Sequence, residues 1–269
     1  MRRAPLAFAC GCLLLGAGVY VVAIGSARAR GFDARTLGPA GPTAVPDVRR
    51  TSALFVASID VGSLLVVGSC IVALALLLRR RDLALASLAI LVGSNATALA
   101  LKPLLRRIDP LDDERFRAFH GSFPSGHATA AMSLALALIV VVPPAWRLKA
   151  ALAGAVYAAC IGVSLMAQRW HMASDVAGGF LSAGVWAGIA AAFVSRSEGP
   201  RSRGNLARSA ALLGGLAALL VAVVAVVVHR HPGLLVHAEA HRAFAAASVA
   251  LLGLAIAETA VFSRISSFR

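Results

Sequence analysis

Two polar islands interrupt an otherwise apolar chain. One is Pro124-Ser125-Gly126-His127, and the other is His171-Met172-Ala173-Ser174-Asp175, with 44 positions separating the two histidines. With Lys102 they supply two imidazoles, a carboxylate, a hydroxyl and a cation, a set suited to moving a phosphoryl group. A phosphate ester resists attack because its oxygens are anionic, so a catalyst must neutralise charge and provide a nucleophile and a proton. His171 is the candidate nucleophile, forming a phosphohistidine that water hydrolyses. Asp175, four residues on, is one helical turn away, where a carboxylate holds the other ring N–H and fixes the tautomer. His127 is the candidate general acid. Ser125 and the free N–H groups around Gly126 stand where a helix would begin, and a helix N-terminus attracts anions. Lys102 neutralises a non-bridging oxygen.

The elements that must position these groups follow from composition. The 269 residues are 59% hydrophobic and 14% charged, with a mean hydropathy of +0.82. A soluble domain carries about 25% charged residues, so most of this surface faces lipid. Apolar runs long enough to cross a bilayer cover 5–25, 54–78, 83–101, 126–142, 150–168, 176–194, 209–228 and 243–262. None alternates as a strand does, and the fold class is all-α, a polytopic helical membrane bundle. The sequence divides into an N-terminal anchor and outer loop (1–53), a catalytic helical core (54–195), and an inner linker with a two-helix hairpin (196–269). Arg2 and Arg3, an apolar stretch and Ala27-Arg28-Ala29 also fit a secretory signal. The apolar stretch is longer than the usual 7–15 residues of a signal core, which favours a retained anchor.

With the N-terminus in the cytoplasm, inner segments hold 13 Lys/Arg against two acids, and outer segments hold 13 against eight. The raw tally is a tie, and the compact Arg79-Arg80-Arg81 cluster tips it towards an inner N-terminus. The net charge of +14 is scattered over loops on both faces. That distribution speaks for anionic lipid headgroups as partners and against nucleic acid. Oligomeric state is not legible. Alternation then puts Lys102 at the end of the third run, His127 at the start of the fourth, and His171 with Asp175 between the fifth and sixth. All three open on one side of the membrane, whichever way the protein sits.

This spacing resembles the type 2 phosphatidic acid phosphatase (PAP2) superfamily, which includes membrane lipid phosphatases, glucose-6-phosphatases and soluble vanadium haloperoxidases. The matching stretch runs from about Leu99 to Gly179. The resemblance implies a six-span catalytic region, and the same roles for Lys102, Ser125, Gly126, His127, His171 and Asp175. It also exposes departures. The first family block is Lys, six residues, then Arg-Pro, whereas counting from Lys102 gives Asp109-Pro110. Arg107, two residues earlier, is the candidate substitute, with Arg106 beside it. The third block places Ser-Arg so that Arg falls six residues before the histidine, and here that pair is Ser164-Leu165. Arg169, four residues further, shares the face of Leu165 if the helix persists. The expected phosphate-binding set is thus Lys102, Arg107, Ser125, Gly126 and Arg169, with no metal and no cofactor.

Other features carry less chemistry. His229, His231, His237 and His241, with Glu239, sit in the loop after 209–228, where their spacing allows either a metal site or an exposed titratable loop. Asp60 and Glu258 lie inside apolar runs, where ionisable groups usually face the bundle interior. Cys10, Cys12, Cys70 and Cys160 lack metal-ligand spacing and read as small core residues. The Gly/Pro-rich stretch 31–50 reads as an irregular outer loop. The expected activity is hydrolysis of a lipid phosphate or diphosphate at the outer face of a bacterial cytoplasmic membrane, with undecaprenyl or another polyprenyl diphosphate favoured over phosphatidic acid or phosphatidylglycerol phosphate. A non-catalytic phospholipid-binding protein and a lipid transporter or flippase stay open as alternatives.

Overall fold

Lipid offers no partners for backbone N–H and C=O groups, so a chain this apolar satisfies them within helices. The computed structural model describes residues 3–37, 46–105, 122–194 and 242–266. Among these residues the regular structure is entirely helical. The order is Arg3–Gly25 (α1), Ala27–Ala34 (α2), Pro46–Ala57 (α3), Val61–Leu77 (α4), Arg81–Leu101 (α5), Gly126–Val141 (α6), Pro144–Ala167 (α7), Ala173–Val194 (α8) and Arg242–Ile265 (α9). Helices α1, α5, α7, α8 and α9 are long and apolar enough to cross a membrane. Arg50–Ala57 of α3 and α4 reach that length and hydropathy only as a pair, bent by 56° at the break between them. α6 is apolar but only 16 residues long. The run at 209–228 and the histidines from 229 to 241 lie outside the described residues.

The chain departs from the simple hydropathy reading in four places. Within 31–50, α2 and the start of α3 are helical. α7 starts at Pro144, before the expected 150, because proline at a first helical position is preorganised, whereas charges such as Arg147 and Lys149 do not stop a helix. Lys149 Nζ instead lies 4.3 Å from the centre of the Trp146 ring. The run 54–78 breaks at Asp60, which caps α4. Ser63 N–H donates to Asp60 Oδ1 (2.6 Å) and Asp60 N–H to Ser63 Oγ (2.8 Å), a reciprocal capping box. Asp60 is exposed, and so does not face the interior as its place in an apolar run suggests. Glu258 is buried, against Gly184 of α8 and Cys12 of α1. Finally, the four cysteines are free thiols, but Cys10 and Cys70 lie on the outer surface, not in the core.

α8 is the hub of the bundle, packing against α1, α5, α6 and α9, while α6 is wedged among α5, α7 and α8. Helices in lipid gain no hydrophobic drive towards one another, so close packing and interhelical bonds must hold them. Side-chain bonds that join separate elements include Trp186 Nε1 to Thr97 Oγ1 (2.9 Å), Asn95 Nδ2 to Ser133 Oγ (3.1 Å), Gln168 Nε2 to Ser52 Oγ (2.8 Å), and the Ser58 and Tyr157 hydroxyls (3.1 Å). At roughly 0.6 kcal/mol each they supply only a few kcal/mol, so close packing carries most of the adhesion. The sequence provides it with Ala and Gly. α6 buries Ala128, Ala130, Ala131, Ala135 and Ala137.

Candidate active site

The site lies where α5 ends and α6 and α8 begin. α6 starts because Ser125 is its N-cap, with Oγ accepting from Ala128 N–H (3.4 Å). Ser125 is fully buried, and its own N–H donates to the carbonyl of Asp175 (2.9 Å). One backbone bond therefore ties the first polar island to the second. The first-turn N–H groups of Gly126 and His127 have no partner within the helix and mark its positive pole. Lys102, the C-cap of α5, lies beside this pole, with Nζ 3.6 Å from where a β-carbon on Gly126 would stand.

The second island is built by a sharp reversal. α7 ends at Ala167, and Arg169 takes a left-handed conformation with φ of 60°. Arg169 N–H donates to Met166 O (3.0 Å) and Trp170 N–H to Leu165 O (2.9 Å), the paired bonds of a Schellman motif. The turn delivers His171 directly to the head of α8. Asp175, wholly buried in its first turn, places Oδ2 3.6 Å from His171 Nδ1 and accepts Met172 N–H at 3.1 Å. The Nδ1 distance is longer than a hydrogen bond, but the pairing leaves Nε2 as the ring nitrogen turned away from the carboxylate. Catalytic hydrogen bonds are often long in the ligand-free state and tighten when substrate binds.

His127 and His171 lie close enough to interact electrostatically. Lys102 acts on His127 in the same sense, and Asp60 opposes them. The His127 ring stands 5.8 Å from the Trp170 ring, tilted by 57°. The arrangement thus gathers Lys102, Ser125, Gly126, His127, His171 and Asp175 around one end of the bundle. Arg169 is exposed in the turn, and since the helix stops at Ala167 it does not share a helical face with Leu165, which is fully buried. Arg106 and Arg107 lie outside the described residues.

Residues 83–199 match the PAP2 superfamily. The protein carries a PAP2 domain. It spans α5 to α8 and includes Lys102 and both polar islands, while α1 to α4 and α9 lie outside it. No curated protein and no solved structure matches the chain. The PAP2 superfamily generally comprises phosphatases acting on phosphoesters. What that domain reaches for outside its own bounds was not legible from the motifs. Tyr20 of α1 packs on Phe123, the residue before Pro124, with ring centres 5.1 Å apart. Asp33 of α2 accepts from Ser174 N–H (3.1 Å) and Ser174 Oγ (2.5 Å), and Thr36 Oγ1 accepts from Ala173 N–H (3.1 Å). Asp33 and Thr36 are nearly or wholly buried. The only signal was their polarity beside a membrane span, which many loop residues share.

Proposed function

We propose that this protein is a membrane phosphatase that hydrolyses a lipid phosphate or diphosphate through a phosphohistidine on His171. PAP2 membership supports the reaction class. The observation that carries the reading is the junction of the two islands through Ser125 N–H and Asp175 O, with Lys102 beside the same helix start.

In this mechanism the phosphate sits over the N–H groups of Gly126 and His127, with Lys102 on one non-bridging oxygen and Ser125 shaping the helix start. Arg169 and Arg107 stand in for the arginines missing from the family pattern. The lone pair of His171 Nε2 attacks phosphorus opposite the leaving oxygen, while Asp175 holds the Nδ1 proton. The P–O bond breaks as His127 transfers a proton to that oxygen, releasing a lipid alcohol or a lipid monophosphate. Water then attacks the phosphohistidine, neutral His127 takes its proton, and the imidazole of His171 leaves as inorganic phosphate forms.

The lipid tail lies among the spans. Each buried methylene contributes about 0.8 kcal/mol, so the bilayer itself concentrates the substrate. A polyprenyl diphosphate, such as the undecaprenyl carrier, is the favoured substrate of an outward-facing site, with phosphatidic acid and phosphatidylglycerol phosphate as competitors. The catalytic core occupies 54–195 in a cytoplasmic membrane, between an N-terminal anchor and a C-terminal hairpin. The test is phosphate release by the detergent-purified protein from these three lipids. Release from polyprenyl diphosphate that disappears in His171→Ala supports the reading. Turnover that survives in His171→Ala, or no release from any lipid phosphate, refutes it.

A further inference from the structure

The head of α8 is capped by residues from another part of the chain. Met172 occupies the N-cap position, and its side chain has no oxygen to accept the first free N–H groups of the helix. Asp175, at the third helical position, supplies half of a capping box by accepting Met172 N–H at 3.1 Å. The first free N–H groups are met instead by α2 and the turn that follows it. Thr36 Oγ1 takes Ala173 N–H, and the Asp33 carboxylate takes Ser174 N–H and Ser174 Oγ–H, across 137 and 141 residues of sequence. Thr36 is itself held, its hydroxyl also donating to Asp33 O at 2.6 Å. Asp33 is 5% exposed, Thr36 0% and Ser174 9%, so water cannot replace these bonds.

We infer that Asp33 and Thr36 are positioning residues for His171, so that α2 sets the register between the candidate nucleophile and Asp175. This rests on the phosphatase reading above. His171 precedes the capped residue directly, and Asp175 Oδ2 is shared between Met172 N–H and the His171 ring. A slip of the first turn of α8 moves both ends of that pair. The left-handed turn at Arg169 fixes the chain on the other side of His171, so the imidazole hangs between two anchors, and α2 supplies the one outside the PAP2 domain. The Asp33 carboxyl also stands at the helix N-terminus, where acceptor oxygens are favourable.

The test compares the full detergent-purified chain with Asp33→Ala, Asp33→Asn and Thr36→Val. Phosphate release from phosphatidic acid in mixed micelles is one readout. Ring-nitrogen NMR of His171, assigned by difference against His171→Gln, is the other. Asp33→Ala is expected to lower kcat about 10- to 100-fold with KM within about twofold, the scale of a misplaced catalytic group. Asp33→Asn, which keeps an acceptor for Ser174 N–H, is expected to recover part of the loss, and the His171 resonances should move in Asp33→Ala. Unmoved resonances with wild-type kcat overturn the inference, as does a joint loss of kcat, KM and melting temperature with the resonances unmoved. Should Asp33→Ala fail to fold, Thr36→Val carries the same comparison. If the wild-type protein releases phosphate from neither phosphatidic acid, phosphatidylglycerol phosphate nor polyprenyl diphosphate, the phosphatase reading falls. The His171 resonances alone then decide the positioning role, upholding it if displaced and overturning it if not.

Discussion

Gly179 on α8 stands so near the Ser125 carbonyl on α6 that a β-carbon there would lie 2.7 Å from the oxygen and 2.9 Å from the Ala128 β-carbon. Gly179 is one turn beyond Asp175, on the same face, so this close approach and the Ser125–Asp175 backbone bond act as one joint. Real β-carbons do not tolerate such distances, and backbone cannot swing aside as a flexible side chain does. Gly179→Ala is therefore expected to destabilise the fold by about 1–3 kcal/mol, the usual range for overpacking. Activity should fall further than the melting temperature alone explains, because the joint holds the two islands together. Thermal unfolding and phosphate release on the same preparation check this. Unchanged activity would mean that the helices move apart without consequence.

The two histidines are distinguished by where their variants stop. Removing the nucleophile should abolish phosphoenzyme formation, so an alkaline denaturing quench, under which phosphohistidine survives, should trap radiolabelled phosphate on the wild type and none on His171→Ala. His127→Ala should lose about 10²- to 10⁴-fold with a lipid alcohol as leaving group. It should lose much less with an aryl phosphate, whose leaving oxygen needs no proton. Equal losses on both substrates would argue against a general-acid role.

Arg169 allows a separation of backbone from side chain. Its φ of 60° costs a non-glycine residue roughly 1 kcal/mol, and glycine adopts it freely. Arg169→Gly should therefore raise the melting temperature or leave it unchanged while lowering phosphate affinity, read as a higher KM or weaker vanadate inhibition. Arg169→Ala should lower both. Full activity in Arg169→Gly would remove the guanidinium from the phosphate site.

Charge neutralisation in the proposed mechanism comes from Lys102, the Gly126 and His127 amides and the arginines. Exhaustive treatment with EDTA should leave phosphate release unchanged, and Lys102→Met should cost about 10²- to 10³-fold, as loss of a charge-stabilising donor does elsewhere. A strict requirement for Mg²⁺ or Zn²⁺ is the result that counts against it.

The sequence and the structure agree where information is local. Pro-Ser-Gly-His and His-x-x-x-Asp are contiguous, so the residue types, their spacing and their place at the ends of apolar runs were all readable. The break at Asp60 was also written in the chain, as Asp and Ser three residues apart, but the surrounding apolar residues hid it. The apolar run from 150 falls short of the start of α7 because Pro144, not hydropathy, sets where that helix begins. The continuation of α7 through Arg169 failed for a subtler reason: no glycine marks the left-handed turn, and the bonds to Met166 and Leu165 hold arginine there instead. The capping of α8 by Asp33 and Thr36 was beyond reach, because a hydrogen bond between residues 141 apart leaves no trace in either local pattern.

Such distance has a bearing on how the protein is made. Asp33 leaves the ribosome long before Ser174, so the acceptors on α2 stay without their donors until α8 has been synthesised and inserted. A nascent chain already anchored by its first span would thus present an unassembled pocket to the lipids around it. Chemistry would begin only once the later spans arrive.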